Sequence, residues 1–263
     1  MKVLFFGDVI GQAGRKAVEK VLPQWKKKYR PDLIIANAEN LAHGAGVTAK
    51  SVEEILAAGV EMLTSGNHIF DKREGLFLLN DKNIPLIRPA NWPPIPYGHG
   101  YRILKVGIRR VLVISLNGRL FFKESLDCPF RKADEILEET EEENIDFTIV
   151  DFHAEATSEK AALGHYLDGR VTAVLGTHTH VPTADAKVLS GGTAFISDVG
   201  MVGPYDSVIS FNKEEAIKGW LTQMSSRFEF ATGPVQVDAV LIETGKDKAA
   251  KKIEKLQEII ALD

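Results

Sequence analysis

The chain has 263 residues, 44% of them hydrophobic and 26% charged, with 32 Lys plus Arg against 36 Asp plus Glu and a net charge of −4. These are the proportions of an ordinary globular chain, long enough to bury a substantial core, and one domain over residues 1–263 is the economical expectation. The slight acidity excludes a global attraction to polyanions, so no extended nucleic-acid surface is expected.

The lone cysteine, Cys128, excludes an intrachain disulfide and fits a reducing compartment. No apolar run reaches the ~18 residues needed to cross a bilayer, so no membrane partner is expected. Only Val3 to Phe6 precede Gly7-Asp8, too short for a signal-peptide core, and the expected location is the cytoplasm.

Strand-like and helix-like patterns alternate along the chain, which predicts α/β layering. Val3 to Phe6 form the first strand, and Gly11-Gln12-Ala13-Gly14 open a charged helix to Tyr29, expected to bend at Pro23. Leu33 to Ala36 form the second strand. Thr48 can cap a helix that runs to Ala58 and ends at Gly59. Met62 to Ser65 form the third strand. Five of the 11 prolines then fall between Pro85 and Pro96, with Trp92 and Tyr97, which suggests a rigid surface excursion near the mouth of a site.

Tyr101 to Val106 and Arg109 to Leu116, split by Gly107, predict a hairpin. Arg131 to Glu143 predict an acidic helix, Thr148 to Phe152 a strand, 158–169 a helix and Val171 to Leu175 another strand. The stretches 185–198 and 235–243 are β-rich, and 213–223 is helical in pattern. Ile253, Leu256, Ile259 and Ile260 make an apolar stripe that predicts a C-terminal helix docked on the body.

Metal-capable side chains sit at the ends of these strands: Asp8, Glu39, Asn40, Asn67, His153, His178 and His180. In α/β sheets, ligand sites lie outside the carboxyl ends of the strands, so donors placed there can converge. His178-x-His180 is the strongest local signal, since two imidazoles in a turn after a strand can face one cavity; a surface loop with two unrelated histidines is the bland alternative. Asp8 offers a hard anionic oxygen, or else caps the helix opening at Gly11. Glu39 can bridge two cations, and the neighbouring Asn40 amide oxygen binds without adding charge. Asn67 repeats that logic, with a Gly66-Asn67 turn as its alternative. Mixed nitrogen and oxygen ligation suits manganese, iron or zinc better than calcium, and no thiolate site is available. A two-metal hydrolase centre is the simplest reading.

His68, next to Asn67, points elsewhere than its neighbour and is placed to donate a proton to a leaving oxygen. The His43 loop, the Pro85 to Tyr97 excursion and the Gly200 to Pro204 turn are candidates for substrate contacts. His99 and His165 read as surface or packing residues.

Gly66-Asn67-His68 and Gly176-Thr177-His178-Thr179-His180 resemble, in order and spacing, the late motifs of the calcineurin-like metallophosphoesterase superfamily. The early motifs depart: Asp8-Val9-Ile10 lacks the histidine of Asp-x-His, and Asn37-Ala38-Glu39-Asn40 replaces a Gly-Asp pair. Those departures, with Ala154-Glu155-Ala156-Thr157-Ser158-Glu159-Lys160 and Gly200-Met201-Val202-Gly203-Pro204, are similar to the bacterial YmdB-like subfamily. The resemblance implies an α/β fold, a two-sheet mixed β-sandwich flanked by helices in four layers, and a homo-oligomer. It also implies a phosphodiesterase acting on small cyclic nucleotides, 2′,3′-cyclic forms first and 3′,5′-cyclic forms second. Two ions per subunit follow from it, iron or manganese before zinc: Asp8, Glu39, Asn40 and His180 for one, and Glu39, Asn67, His153 and His178 for the other. The expected nucleophile is a hydroxide activated between the two ions. Rival readings are a phosphomonoesterase or protein phosphatase on the same centre, a non-catalytic nucleotide sensor, and a redox di-iron protein.

Overall fold

In the computed structural model, which describes residues 1–224, 229–245 and 247–262, the elements follow in chain order. They begin β1 (Lys2–Val9), α1 (Gly11–Tyr29), β2 (Leu33–Asn37), α2 (Ala49–Ala57), β3 (Met62–Thr64), a 3-10 turn (Asn67–Phe70) and α3 (Arg73–Asn80). The middle of the chain gives β4 (Tyr101–Val106), β5 (Arg109–Asn117), α4 (Pro129–Glu139), β6 (Phe147–His153), α5 (Thr157–Tyr166) and β7 (Ala173–Thr177). The rest supplies β8 (Lys187–Val188), β9 (Ala194–Ile196), β10 (Met201–Pro204), α6 (Lys213–Thr222), β11 (Val235–Thr244) and β12 (Ala250–Ile260).

The strands build two six-stranded mixed sheets, ordered β12-β11-β10-β1-β2-β3 and β4-β5-β6-β7-β9-β8. Three apolar clusters show the layering. One joins the first sheet to α1, α2 and α3, through Leu4, Phe6, Leu22, Trp25 and Ile55 among others. The second lies between the sheets, with Val3, Phe5, Ile35, Val113, Ile149 and Leu175. The third joins the second sheet to α4 and α5. Both sheets are thus covered on both faces, which is why their central strands read as continuous apolar runs rather than alternating ones. The four layers expected from the resemblance are present.

Along β1, Val3 and Phe5 face the other sheet while Leu4 and Phe6 face the helices. The pairing with β2 shifts register between Phe6 and Asp8, and Val9 then rejoins the helix side with Phe6. A one-residue slip moves side chains to the opposite face. That bulge turns Asp8 toward the space between the sheets. Gly7 sits inside it, where a Cβ would collide with the Gly200 carbonyl.

The C-terminal segment is a strand, not a helix. β12 pairs antiparallel with β11 along its length and forms one edge of the first sheet. Ile253 packs into the inter-sheet core, whereas Leu256 and Ile260 pack on the helix side, where Trp25 Nε1 also donates to Glu258 Oε2 at 2.9 Å. Apolar residues on two opposite faces of one strand reproduce the three- and four-residue spacings of a helix, and unmet hydrogen bonds on β11 decide for the strand.

Other departures are smaller. The acidic helix starts at Pro129 and ends at Glu139, with a 3-10 turn at Glu141–Glu143. Gly200 to Pro204 do not form a turn: Met201–Pro204 are the buried strand β10, held between β1 and β11. The proline-rich excursion exposes Pro93, Pro94 and Pro96 at the surface as expected, and its first half is also a strap. Ile87 N donates to Leu63 O at 3.0 Å and Ala90 N to Ser115 O at 2.8 Å, so it ties β3 to β5, and Leu86, Ile87 and Asn91 are buried. The hairpin at Gly107 forms as β4 and β5. Among the described residues, no helix is long and apolar enough to cross a membrane.

Candidate metal centre

The last rung of the inter-sheet core is polar. Asn37 on β2, Thr64 on β3, Asp151 on β6 and Thr177 on β7 meet there, all fully buried. Asn37 Nδ2 donates to Asp151 Oδ2 at 2.9 Å, Thr64 Oγ1 donates to the same oxygen, and Thr177 Oγ1 donates to Asp151 Oδ1 at 2.7 Å. Buried polar groups persist when hydrogen-bonded, and this rung satisfies that condition while tying the two sheets together. Directly beyond it in sequence come Glu39, His153 and His178.

These three converge. Glu39 Oε1 lies 3.0 Å from His153 Nε2, and His153 Nε2 lies 3.0 Å from His178 Nδ1. One donor atom from each falls within 4.8 Å of the others, a spacing suited to a shared cation. Asp8 approaches from the bulged end of β1, with Oδ1 3.7 Å from His153 Nδ1 and 4.0 Å from His180 Nε2. Its other oxygen accepts from His178 N at 3.1 Å.

Whether these residues fit metal ions is tested by the atoms left over. Among the described residues, buried side-chain atoms that make no hydrogen bond include Asp8 Oδ1, Asn40 Oδ1, Asn67 Oδ1 and His180 Nδ1. Each belongs to a residue the sequence singled out as a ligand. A buried unsatisfied polar atom costs about 1–3 kcal/mol, so four in one place signify a binding site. Asn40 is also held in the right sense, since its Nδ2 donates to Gly44 O at 2.8 Å and leaves the oxygen to face inward. The donor set fits divalent ions.

Without an ion, the buried groups share protons among themselves. Against the burial that would raise it, His153 draws the Glu39 carboxyl down to about 2. Burial would depress His153, but Glu39 and Asp8 lift it to about 9. Burial, with the Glu39 carboxylate nearby, pushes Asp8 well above its ordinary value against the pull of His153. Burial and the cationic His153 bring His178 down to about 3, and burial lowers His180. His178 and His180 are thus neutral imidazoles, the state in which a histidine can ligate, whereas His153 would release a proton on taking up a cation.

The loop carrying the paired histidines is strained and clamped. His178 and His180 both adopt left-handed backbone angles, φ 97° and 63°. Such strain persists only where the surroundings impose it, and it gathers at functional sites. Thr179 between them donates through N (3.0 Å) and Oγ1 (2.7 Å) to Asp198 Oδ2, itself paired to the buried Lys160 at 2.8 Å.

His68 opens the 3-10 turn beyond β3. Its backbone N donates to Glu39 Oε2 at 3.1 Å, and its ring Nδ1 lies 2.7 Å from Asp71 Oδ2. Trp92 of the strap packs on Phe70 of the same turn, ring centroids 4.5 Å apart. A cavity of about 270 Å³ opens over the cluster, lined by Glu39, Asn40, His68, His178 and His180 together with the apolar Ile10, Ile209, Phe211 and Phe230. His43 does not reach it. That side chain lines a separate cavity with Arg15 and Lys50.

Several residues at the site escaped the sequence reading. Asp71 follows His68 by three positions, a spacing that brings side chains together in a helical turn. Glu155, two residues beyond His153, places Oε2 3.1 Å from His178 Nε2. Asn117 ends β5 beside His153, fully buried, with neither amide atom partnered. Gly66 reads in the sequence as a turn and motif glycine, and the structure adds that its missing side chain gives His153 and Glu39 their room.

The sequence model of the YmdB-like protein family matches residues 4–256. The chain belongs to the YmdB-like family. It is 44% identical over 264 aligned positions to the 2′,3′-cyclic-nucleotide 2′-phosphodiesterase of Bacillus subtilis, covering 100% of this chain and 98% of that protein. Among solved structures, a hypothetical protein from Thermus thermophilus is 42% identical, superposes with a TM-score of 0.92, and covers 98% of this chain and 99% of its own. A structure described as a novel phosphatase from Mycoplasma pneumoniae is 36% identical, also at a TM-score of 0.92, over 98% and 93% of the two chains. This YmdB-like chain therefore shares both its length and its fold with them.

Proposed function

We propose that this chain is a metal-dependent phosphodiesterase that hydrolyses cyclic nucleotides, 2′,3′-cyclic forms first and 3′,5′-cyclic forms second. The observation that carries the reading is the set of unsatisfied donor atoms on Asp8, Asn40, Asn67 and His180 around the Glu39, His153 and His178 cluster. Asp8, Glu39, Asn40 and His180 would hold one ion, and Glu39, Asn67, His153 and His178 the other, with iron or manganese the expected occupants. Bound there, two ions supply a water of lowered pKa and neutralise the non-bridging phosphate oxygens.

The chain's own groups do the rest. Asp71 Oδ2 accepts from His68 Nδ1, so a His68 imidazolium keeps that proton and hands the one on its other ring nitrogen to the departing ribose oxygen, becoming a neutral imidazole. The bulge at Gly7 and the clamp at Asp198 fix the donors before substrate arrives, so little reorganisation is needed at the moment of reaction. The apolar lining of the cavity, where Phe211 and Phe230 stack with centroids 5.2 Å apart, suits a nucleobase better than a bare phosphate. The substrate class follows the Bacillus subtilis relative.

A phosphomonoesterase is the second reading, because the ions recognise phosphoryl oxygens rather than the leaving group, and the similar Mycoplasma pneumoniae structure is described as a phosphatase. Protein purified without chelator should turn over 2′,3′-cAMP, 3′,5′-cAMP and bis-p-nitrophenyl phosphate faster than p-nitrophenyl phosphate. Faster turnover of the monoester would favour the second reading; stoichiometric binding of cyclic nucleotide without product would make the protein a sensor.

A further inference from the structure

Thr177 is not a candidate ligand, yet its hydroxyl touches one. His153 Nδ1 lies 2.9 Å from Thr177 Oγ1, and Thr177 Oγ1 lies 2.7 Å from Asp151 Oδ1. Asn37 Nδ2 approaches the same hydroxyl at 3.4 Å. All four residues are fully buried, so no solvent competes for these positions.

A threonine hydroxyl has one proton and two lone pairs. Asp151 is surrounded by donors: the Asn37 amide and the Thr64 hydroxyl on one oxygen, Thr177 on the other. The Thr177 proton therefore goes to Asp151, and the hydroxyl oxygen can only accept from His153. That keeps a proton on Nδ1 and leaves Nε2 as the nitrogen that can give up its own proton and coordinate. Nε2 is the atom that faces Glu39 Oε1 and His178 Nδ1, both at 3.0 Å. Asn37, held by the same Asp151, also accepts from Glu39 N at 3.1 Å. One buried carboxylate thus supports two donors that arrive from opposite sheets.

We infer that Thr177, backed by Asp151, is a positioning residue that fixes the tautomer of His153 and so sets the affinity of the ion that His153 holds. This rests on the two-ion reading proposed above. Groups that orient a ligating histidine through its other nitrogen typically change metal affinity by about 10–100-fold when removed. His178 offers the contrast. Its partner Glu155 has a side chain 49% exposed, so water can replace that contact, whereas nothing can replace Thr177.

The test compares Thr177→Val, which keeps the shape and drops the hydroxyl, with Thr177→Ser, which keeps the hydroxyl. Manganese and zinc affinities are measured on the stripped full-length protein by competition with a chelator. Exchange of the His153 Nδ1 proton is followed by NMR in the metal-free state. Thr177→Val should weaken the tighter ion about 10–100-fold and expose the Nδ1 proton to exchange, while Thr177→Ser stays near wild type in both. Should the valine variant not fold, Thr177→Ala serves the same comparison. Wild-type affinity together with an unchanged Nδ1 proton in the valine or alanine variant would overturn the inference. A wild-type protein that takes up no ion would overturn the two-ion reading instead, and the proton measurement would still judge Thr177.

Discussion

Gly66→Ala perturbs the centre without touching a ligand. Gly66 has φ −131° and ψ −150°, extended backbone that alanine adopts freely. At a site with room, such a change stabilises by about 0.4–1 kcal/mol through the unfolded chain. Here a Cβ would lie well under 3.0 Å from His153 Cδ2, His153 Nε2 and Glu39 Oε2. Carbon atoms pack at about 3.5–4.0 Å, so one of these side chains must move by on the order of 1 Å. Both are buried and have nowhere to go. Overpacking of this kind costs about 1–3 kcal/mol, and a 1 Å misplacement can cost ~100-fold in rate. Metal content after dialysis, turnover of 2′,3′-cAMP and Tm measure the outcome. All three should fall together. Gly107→Ala is the control: strained at φ +60° but with open space around it, it should lower Tm slightly and leave turnover alone. A Gly66→Ala protein with wild-type ion content and turnover would refute the packing of the centre.

Other outcomes follow from the same geometry. His68→Ala should keep both ions and lose turnover, whereas Asn67→Ala and His153→Ala should lose ion content; equal ion loss in all three would contradict the division of roles. Lys160→Met leaves the buried Asp198 carboxylate without its cation, and breaking such a pair costs about 3–5 kcal/mol, so thermal unfolding should show a large drop in Tm. Burial, with Asp198 nearby, pushes Asp238 up to about 6 against the pull of its donors. A carboxyl raised on folding binds its proton more tightly in the native state, so this group's stabilising contribution is full below pH ~4 and lost as pH rises through about 6. Asp238→Asn should flatten the fall in stability between those values, by roughly 3 kcal/mol at most, and an unchanged pH profile would count against it.

Much of the centre was legible because strands end where their donors begin. Asp8, Glu39, Asn67, His153 and His178 each follow an apolar run, and parallel strands bring such ends to one edge of a sheet. What could not be read was anything that depends on register between sheets. Asp151 sits in a run that is apolar but for Thr148 and itself, and only the facing of Asn37, Thr64 and Thr177 makes it a hub. Thr177 passed for a small flanking residue for the same reason. The C-terminal strand failed differently: Ile253, Leu256 and Ile260 serve two faces, and periodicity assumes one. Gly200 to Pro204 looked like a turn because glycine and proline usually mark one, yet β10 fills a slot between β1 and β11 where close backbone approach is the need.

Anomalous diffraction from crystals of the manganese-loaded protein bears most directly on the two-ion centre. Two peaks about 3.5–4 Å apart should flank the Glu39 carboxylate, one beside His153 and His178 and the other beside Asp8 and His180. A single peak, or peaks that leave Glu39 and His153 without an ion, would contradict it.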